Sequence, residues 1–164
     1  MIKKKVCMLG SFAVGKTSLV QRFVNSIFSE KYHTTIGVKI DQKQVAVDGE
    51  EVTLMLWDIH GEDEFQTIKP AYVMGSSGYF IVMDGTRRNT LEKGLQLRQM
   101  VESTIGEVPF IVLMNKADLK SQWEITDDDL AGLKAQGMTL LLTSAKTGNG
   151  VEEAFVELTH RMLK

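Results

Sequence analysis

Val6-Cys7-Met8-Leu9-Gly10-Ser11-Phe12-Ala13-Val14-Gly15-Lys16-Thr17 joins an apolar run to a glycine-bounded turn, a lysine and a hydroxyl. Four consecutive apolar residues read as a strand covered on both faces, ending at Gly10. A helix is expected to open near Lys16. The glycines between them allow a tight turn whose N–H groups point inward at phosphate oxygens. Lys16 reaches the terminal phosphates as a point charge, and Thr17 offers a hydroxyl to Mg2+. The positive end of the following helix adds to the anion site. The stretch is a complete phosphate-binding loop (P-loop), and the ligand class it implies is a nucleoside triphosphate.

Working outward, helix and strand patterns alternate almost from end to end. Leu19, Val20, Phe23, Val24 and Ile27 recur at helical spacing. Residues 26–37 carry no regular pattern and read as a loop. Val38 to Val47 and Val52 to Trp57 alternate as strands, with Asp48-Gly49 between them as a hairpin signal. Tyr79 to Met83 and Phe110 to Met114 are short, continuously apolar runs. Leu97, Val101, Thr104 and Ile105 give a helical stripe closed by Gly106 and Pro109. Thr126-Asp127-Asp128-Asp129 reads as a helix start, and that helix should stop near Gly137. Met138 to Leu142 is the last expected strand. Val151, Ala154, Phe155, Leu158 and Met162 form the cleanest stripe of all. The pattern predicts an α/β three-layer sandwich of the P-loop NTPase type. Its six-stranded sheet should be mostly parallel, with one antiparallel hairpin strand and helices on both faces. Ligands of such sheets bind at the carboxyl ends of the strands.

The whole chain agrees with this picture. Its 164 residues suit a single domain spanning 1–164. A net charge of −2 argues against nucleic acid as a main partner, because backbone binding needs a basic face. The single cysteine, Cys7, falls in an apolar strand and cannot form an internal disulfide. Lys3-Lys4-Lys5 before an apolar run imitates a signal peptide, but the run ends in Gly15-Lys16-Thr17 with no cleavage site. Ile2 breaks the myristoylation pattern, and Arg161-Met162-Leu163-Lys164 carries no prenylatable cysteine. The expectation is a cytoplasmic monomer without an intrinsic membrane anchor.

A P-loop alone fits a nucleotide kinase, an ATPase or a GTPase. Three further segments decide among them. Asn115-Lys116-Ala117-Asp118 follows an expected strand. By itself it also reads as a strand-end turn. Beside a P-loop, the Asp118 carboxylate can accept two parallel hydrogen bonds from guanine N1–H and the exocyclic amine. Adenine lacks that donor pair and would leave the charge unpaired. Ser144-Ala145-Lys146 follows the last strand. Its small residues let a backbone N–H approach the guanine O6, and the Lys146 stem can cover the base. Trp57-Asp58-Ile59-His60-Gly61 closes the third strand. There Asp58 can hold Mg2+, and Gly61 lets its N–H approach the γ-phosphate.

With these residues in place the chain resembles the small GTPases of the Ras superfamily, and within it the Rab family. The likeness runs over essentially all of the chain, with the motifs in the family's order and spacing. Thr34-Thr35-Ile36-Gly37-Val38, the Trp57-Asp58 pair, Phe65, Ile68 and Tyr72 carry the Rab-like detail. The resemblance implies a GTP/GDP switch that hydrolyses GTP with Mg2+. It implies nucleotide contacts from Ala13, Val14, Gly15, Lys16, Thr17, Ser18, Phe28, Thr35, Gly61, Asn115, Lys116, Asp118, Ser144, Ala145 and Lys146. Thr17, Thr35 and Asp58 would hold the metal. Lys16, Thr35, Gly61 and Glu62 would carry the chemistry. Effector, exchange-factor and GTPase-activating partners would bind through residues 30–40 and 57–74. Phe65, Ile68 and Tyr72 fall on one helical face, which serves either the core or a partner.

Four features depart from the family pattern. Glu62 stands where a water-orienting glutamine is usual; a carboxylate accepts a proton but donates none, so hydrolysis should be altered and slow, or else Glu62 turns away with Asp63 and Glu64 as a solvated acidic run. His60 replaces a small residue and either offsets Glu62 when protonated or is a bystander. Phe12 occupies a phosphate-loop position that is usually small, where its ring would obstruct a partner's arginine. Lys39 and Ile40 replace an acidic and an aromatic residue, and the cysteine tail is missing. Arg87 and Arg88 read as a solvated loop. Glu62 and Phe12 together leave a second reading open, a GTP-binding adaptor with little or no hydrolysis.

Overall fold

The computed structural model describes residues 2–25, 38–59 and 68–164. In chain order its elements are β1 (Ile2–Gly10), α1 (Lys16–Asn25), β2 (Val38–Val47), β3 (Glu50–Ile59), a 3-10 turn at Pro70–Val73, β4 (Gly78–Asp84), α2 (Asn89–Ile105) and β5 (Phe110–Asn115). A second 3-10 segment (Ala117–Gln122), α3 (Asp127–Ala135), β6 (Leu140–Leu142) and α4 (Val151–Met162) complete it. The strands form one six-stranded sheet in the order β2-β3-β1-β4-β5-β6. Only β2 and β3 pair antiparallel; every other neighbouring pair is parallel. The mostly parallel α/β sheet expected from the alternation is therefore present.

The hairpin is dictated locally. Asp48 and Gly49 both take positive φ, 55° and 77°, the conformation of a two-residue turn whose twist matches its strands. The parallel strands need crossovers, and their helices divide between two cores. Leu19, Val20 and Phe23 of α1 pack with Ala154, Phe155 and Leu158 of α4 against Val6, Met8 and Phe80 on one face. Leu97 and Val101 of α2 and Leu130 and Leu133 of α3 cover Cys7, Leu9, Ile81 and Met114 on the other. Phe80 meets Phe155 edge-on at 4.9 Å. Each such fully buried side chain contributes ~2 kcal/mol, so these apolar stripes outweigh intrinsic propensity in holding the helices.

Helix α3 starts where its sequence predicts. The Thr126 side chain accepts from the Asp129 N–H, and the Asp129 carboxylate accepts from the Thr126 N–H at 2.8 Å, a reciprocal cap. The Thr126 N–H, and then Arg88, holds the Asp129 carboxyl below the usual carboxylate range.

Three local expectations differ from the structure. β1 extends back to Ile2, because its lysines share a register with β3, and the Lys5 ammonium lies 3.6 Å over the Trp57 ring. β6 is confined to Leu140–Leu142, with Met138 buried just ahead of it. The expected helical face of Ile68 and Tyr72 is replaced by a single 3-10 turn opened by Pro70, which lacks the N–H a longer helix needs there. Ile68 is 3% exposed and belongs to the core beneath α2. Phe65 lies outside the described residues.

Candidate functional site

β1 and β4 are neighbours in the sheet, and the chain leaves β1 for α1 on one face and β4 for α2 on the other. In an open α/β sheet that reversal opens a crevice at the strand ends. The loop Gly10–Gly15 occupies it. Gly10 is there because a Cβ would sit 2.4 Å from the Val82 carbonyl oxygen of the adjacent strand. Ala13 takes φ 71°, a left-handed turn for a residue with a side chain, and Gly15 takes φ 102°. Such backbone strain in a loop of consecutive N–H donors is the signature of an anion nest. A Cβ at Gly15 would lie 2.3 Å from Asn115 Nδ2, so this glycine also admits the base motif.

Lys16 opens α1, is 6% exposed, and donates to the carbonyls of Gly10 at 3.0 Å and Ser11 at 3.1 Å. Burial brings its ammonium down to about 8; Asp58 opposes that shift and Arg87 reinforces it. A buried cation with a depressed pKa gains from an anion more than an exposed lysine does. Thr17 Oγ1 donates to Asp58 Oδ2 at 2.5 Å. Asp58 is buried, and its Oδ1 has no hydrogen-bond partner among the described residues. A hydroxyl oxygen and a dry, unpartnered carboxylate oxygen side by side are the hard donors Mg2+ takes, and that ion completes its shell with phosphate and water. The residues present fit the ion.

The other two motifs are tied to this loop by hydrogen bonds. Asn115, 2% exposed, donates from Nδ2 to the Val14 carbonyl at 2.9 Å and accepts at Oδ1 from Thr143 at 3.1 Å. Lys116 turns the chain at φ 70°. Asp118 is exposed, and its Oδ1 accepts from Ser144 Oγ at 2.7 Å. That bond fixes the carboxylate while leaving Oδ2 outside the contact. The Ala145 carbonyl accepts from Arg22 Nε at 2.8 Å, and the Lys146 carbonyl accepts from Arg22 Nη2. Helix α1 thus carries the phosphate loop at its start and braces the Ser144–Lys146 loop from Arg22, nearly two turns later.

Among the residues singled out from sequence, Ala13, Val14, Gly15, Lys16, Thr17, Ser18, Asp58, Asn115, Lys116, Asp118, Ser144, Ala145 and Lys146 meet at one end of the sheet. The Val14 side chain is fully buried, so its share in any ligand contact falls to its backbone. Phe28, Thr35, His60, Gly61 and Glu62 lie outside the described residues. Phe12 is 38% exposed at the loop rim.

The loop after β4 is more than a solvated turn. Arg87 Nη2 donates to the Phe12 carbonyl at 2.7 Å, which brings a second cation to the phosphate loop. Arg88 meets Asp129 Oδ1 at 2.6 Å and pins the start of α3. Arg22 and Trp123 were likewise not singled out. The Trp123 indole donates to the Lys116 carbonyl at 2.9 Å. A polar residue on a helix and a tryptophan between two short segments carry no periodic signal that marks their distant partners.

Comparisons with known proteins agree with this geometry. Residues 5–164 match the sequence model described as the Ras family. The Ras-related protein Rab-21 of Dictyostelium discoideum is 34% identical over 161 residues, covering 97% of this chain and 76% of its own length. The Ras-related protein Rab-18 of Caenorhabditis elegans is 32% identical over 162 residues, covering 98% of this chain and 80% of its own. The Ras-related protein Rab-21 of Geodia cydonium is 32% identical over 165 residues, covering 99% and 72%.

Proposed function

The chain belongs to the Ras family, and on that footing we propose that it is a Rab-like GTP/GDP switch, one nucleotide-binding unit over residues 1–164 that hydrolyses GTP slowly in the cytoplasm. The observation that carries this reading is the bonded convergence of four segments: Thr17 on Asp58, Asn115 on Val14, Thr143 on Asn115, and Ser144 on Asp118. Guanine would be read by Asp118 and covered by the Lys116 and Lys146 stems and Phe28. Phosphates would take the N–H groups of residues 13–18 and the Lys16 ammonium. Thr17, Asp58 and Thr35 would hold Mg2+, which when bound neutralises phosphate charge.

In-line attack of water on the γ-phosphate leaves the protein mainly positioning and electrostatic work. Lys16 and the loop N–H groups meet the growing charge on the leaving side. Gly61 offers its N–H to the γ-phosphate. Glu62 accepts the water's proton or orients it, and its negative charge makes that step slow. Loss of the γ-phosphate would release Thr35 and Gly61, and with them the segments 30–40 and 57–74 that partners read. Ile40, exposed and paired across the hairpin with Trp57, and the exposed Met74, whose carbonyl accepts from the Lys5 ammonium that lies over the Trp57 ring, support a docking role for that face. No helix among the described residues is long and apolar enough to cross a membrane.

A second reading keeps the GTP site without turnover, as an adaptor. The half-exposed Phe12 at the loop rim favours it, since a ring at that position would obstruct a partner's arginine. Single-turnover hydrolysis of bound GTP by wild type beside Glu62→Gln separates the two. The switch reading expects turnover within minutes to hours, changed by the substitution. A bound GTP that lasts for days in the wild type favours the adaptor. A rate unmoved by Glu62→Gln removes that residue from the chemistry.

A further inference from the structure

Asp84 ends β4, is 0% exposed, and has no role in the reading above, yet it stands between the two halves of the site. Its Oδ1 accepts from the Thr86 N–H at 2.9 Å and from Thr86 Oγ1 at 2.7 Å. Its Oδ2 lies 2.7 Å from the Lys116 ammonium and 4.0 Å from Arg87 Nε. Arg87 in turn holds the Phe12 carbonyl. One buried carboxylate therefore faces a cation from the guanine motif and a cation that grips the phosphate loop. A buried charge persists only when it is paired, so both cations are drawn to a fixed place. The backbone repeats the arrangement. The Gly85 N–H donates to the Asn115 carbonyl at 3.2 Å, and the Gly85 carbonyl accepts from the N–H groups of Glu124 and Ile125. A Cβ on Gly85 would sit 2.0 Å from the Trp123 ring, so the segment that braces Lys116 packs directly on it.

We propose that Asp84 is a positioning residue that couples the phosphate loop to the guanine loop and so sets how long a nucleotide stays bound. The proposal rests on the guanine-nucleotide reading. Through Lys116 it holds residues 115–118 in the conformation that presents Asp118. Through Arg87 it holds the carbonyl at residue 12, on the rim of the phosphate loop. Nucleotide release requires both loops to give way, and Asp84 makes their movements dependent on each other. Such coupling follows from one anion shared by two cations, since losing it frees both.

The test uses the full chain and fluorescently labelled guanosine and inosine diphosphates, the latter lacking the exocyclic amine. Asp84→Asn keeps the Thr86 contacts and removes the charge. It is expected to speed guanosine diphosphate release by about tenfold or more and to lower the guanosine-to-inosine affinity ratio. Arg87→Met is expected to speed release of both nucleotides alike and leave their ratio unchanged. The double variant should release no faster than Asp84→Asn alone. Arg88→Met, which breaks the neighbouring ion pair with Asp129, controls for simple loosening of the loop and should leave the ratio at the wild-type value. Wild-type release and ratio in Asp84→Asn would overturn the proposal, as would additive effects in the double variant. Should Asp84→Asn fail to fold, unchanged release from Arg87→Met would overturn it, and equal acceleration for both nucleotides would support it. A wild type with no guanine preference would overturn the parent reading as well; tight guanine binding with an inert Asp84 would overturn this one alone.

Discussion

Replacing Asp118 by Asn is expected to exchange guanine for xanthine as the preferred base, with a change in relative affinity on the order of 10³. The carboxylate offers two acceptors side by side, matching the two donors on the guanine edge. An asparagine offers one acceptor and one donor, which matches xanthine, where a carbonyl replaces the amine. The wrong base would leave a polar pair facing each other without a hydrogen bond, and that penalty sets the size of the effect. The bond from Ser144 to Asp118 Oδ1 can survive the substitution, because an amide oxygen also accepts. The variant should therefore fold with its loop in place. Competition between guanosine and xanthosine diphosphates at equilibrium measures the exchange; an unchanged guanine preference would remove Asp118 from base recognition.

The second large effect concerns Lys16. Lys16→Ala is expected to weaken triphosphate binding by about 100-fold or more, because it removes the buried point charge at the phosphates. Its effect on the ligand-free fold should be small. The ammonium sits 6% exposed against two carbonyls, and burial holds it at about 8, so it is a charge the fold accommodates at a cost. Losing it removes that penalty along with two hydrogen bonds. Titration calorimetry of the triphosphate beside thermal unfolding of the free protein separates the roles. Collapsed affinity with a melting temperature within about 4 °C of wild type fits a binding residue. Undiminished affinity would refute the assignment, and a large melting shift would mark Lys16 as structural.

Much of this architecture was legible in the chain because its signals are local. An apolar run ending in Gly10, the Asp48-Gly49 turn and the Thr126–Asp129 cap each depend on neighbours a few residues apart. The residues meeting at the strand ends were legible too, since each motif follows its own strand and the sheet gathers strand ends. What escaped depends on distant pairs. Arg87 and Phe12 are separated by 75 positions, and nothing near either one says they touch. The same holds for Arg22, which braces a loop 123 residues away. The helical face read through Ile68 and Tyr72 ignored Pro70 between them, and the backbone obeyed the proline. Asp84 looked like an ordinary strand end; only the parallel pairing of β4 with β5, which sets Asp84 opposite Asn115, brings it to Lys116.

If these strand-end loops enclose a guanine nucleotide, the base must decide the affinity. Calorimetric titration of the magnesium-containing protein with GTP and, separately, with ATP tests it most directly. Tight binding of GTP and at least about 1000-fold weaker binding of ATP are expected. Equal affinity for the two would contradict it.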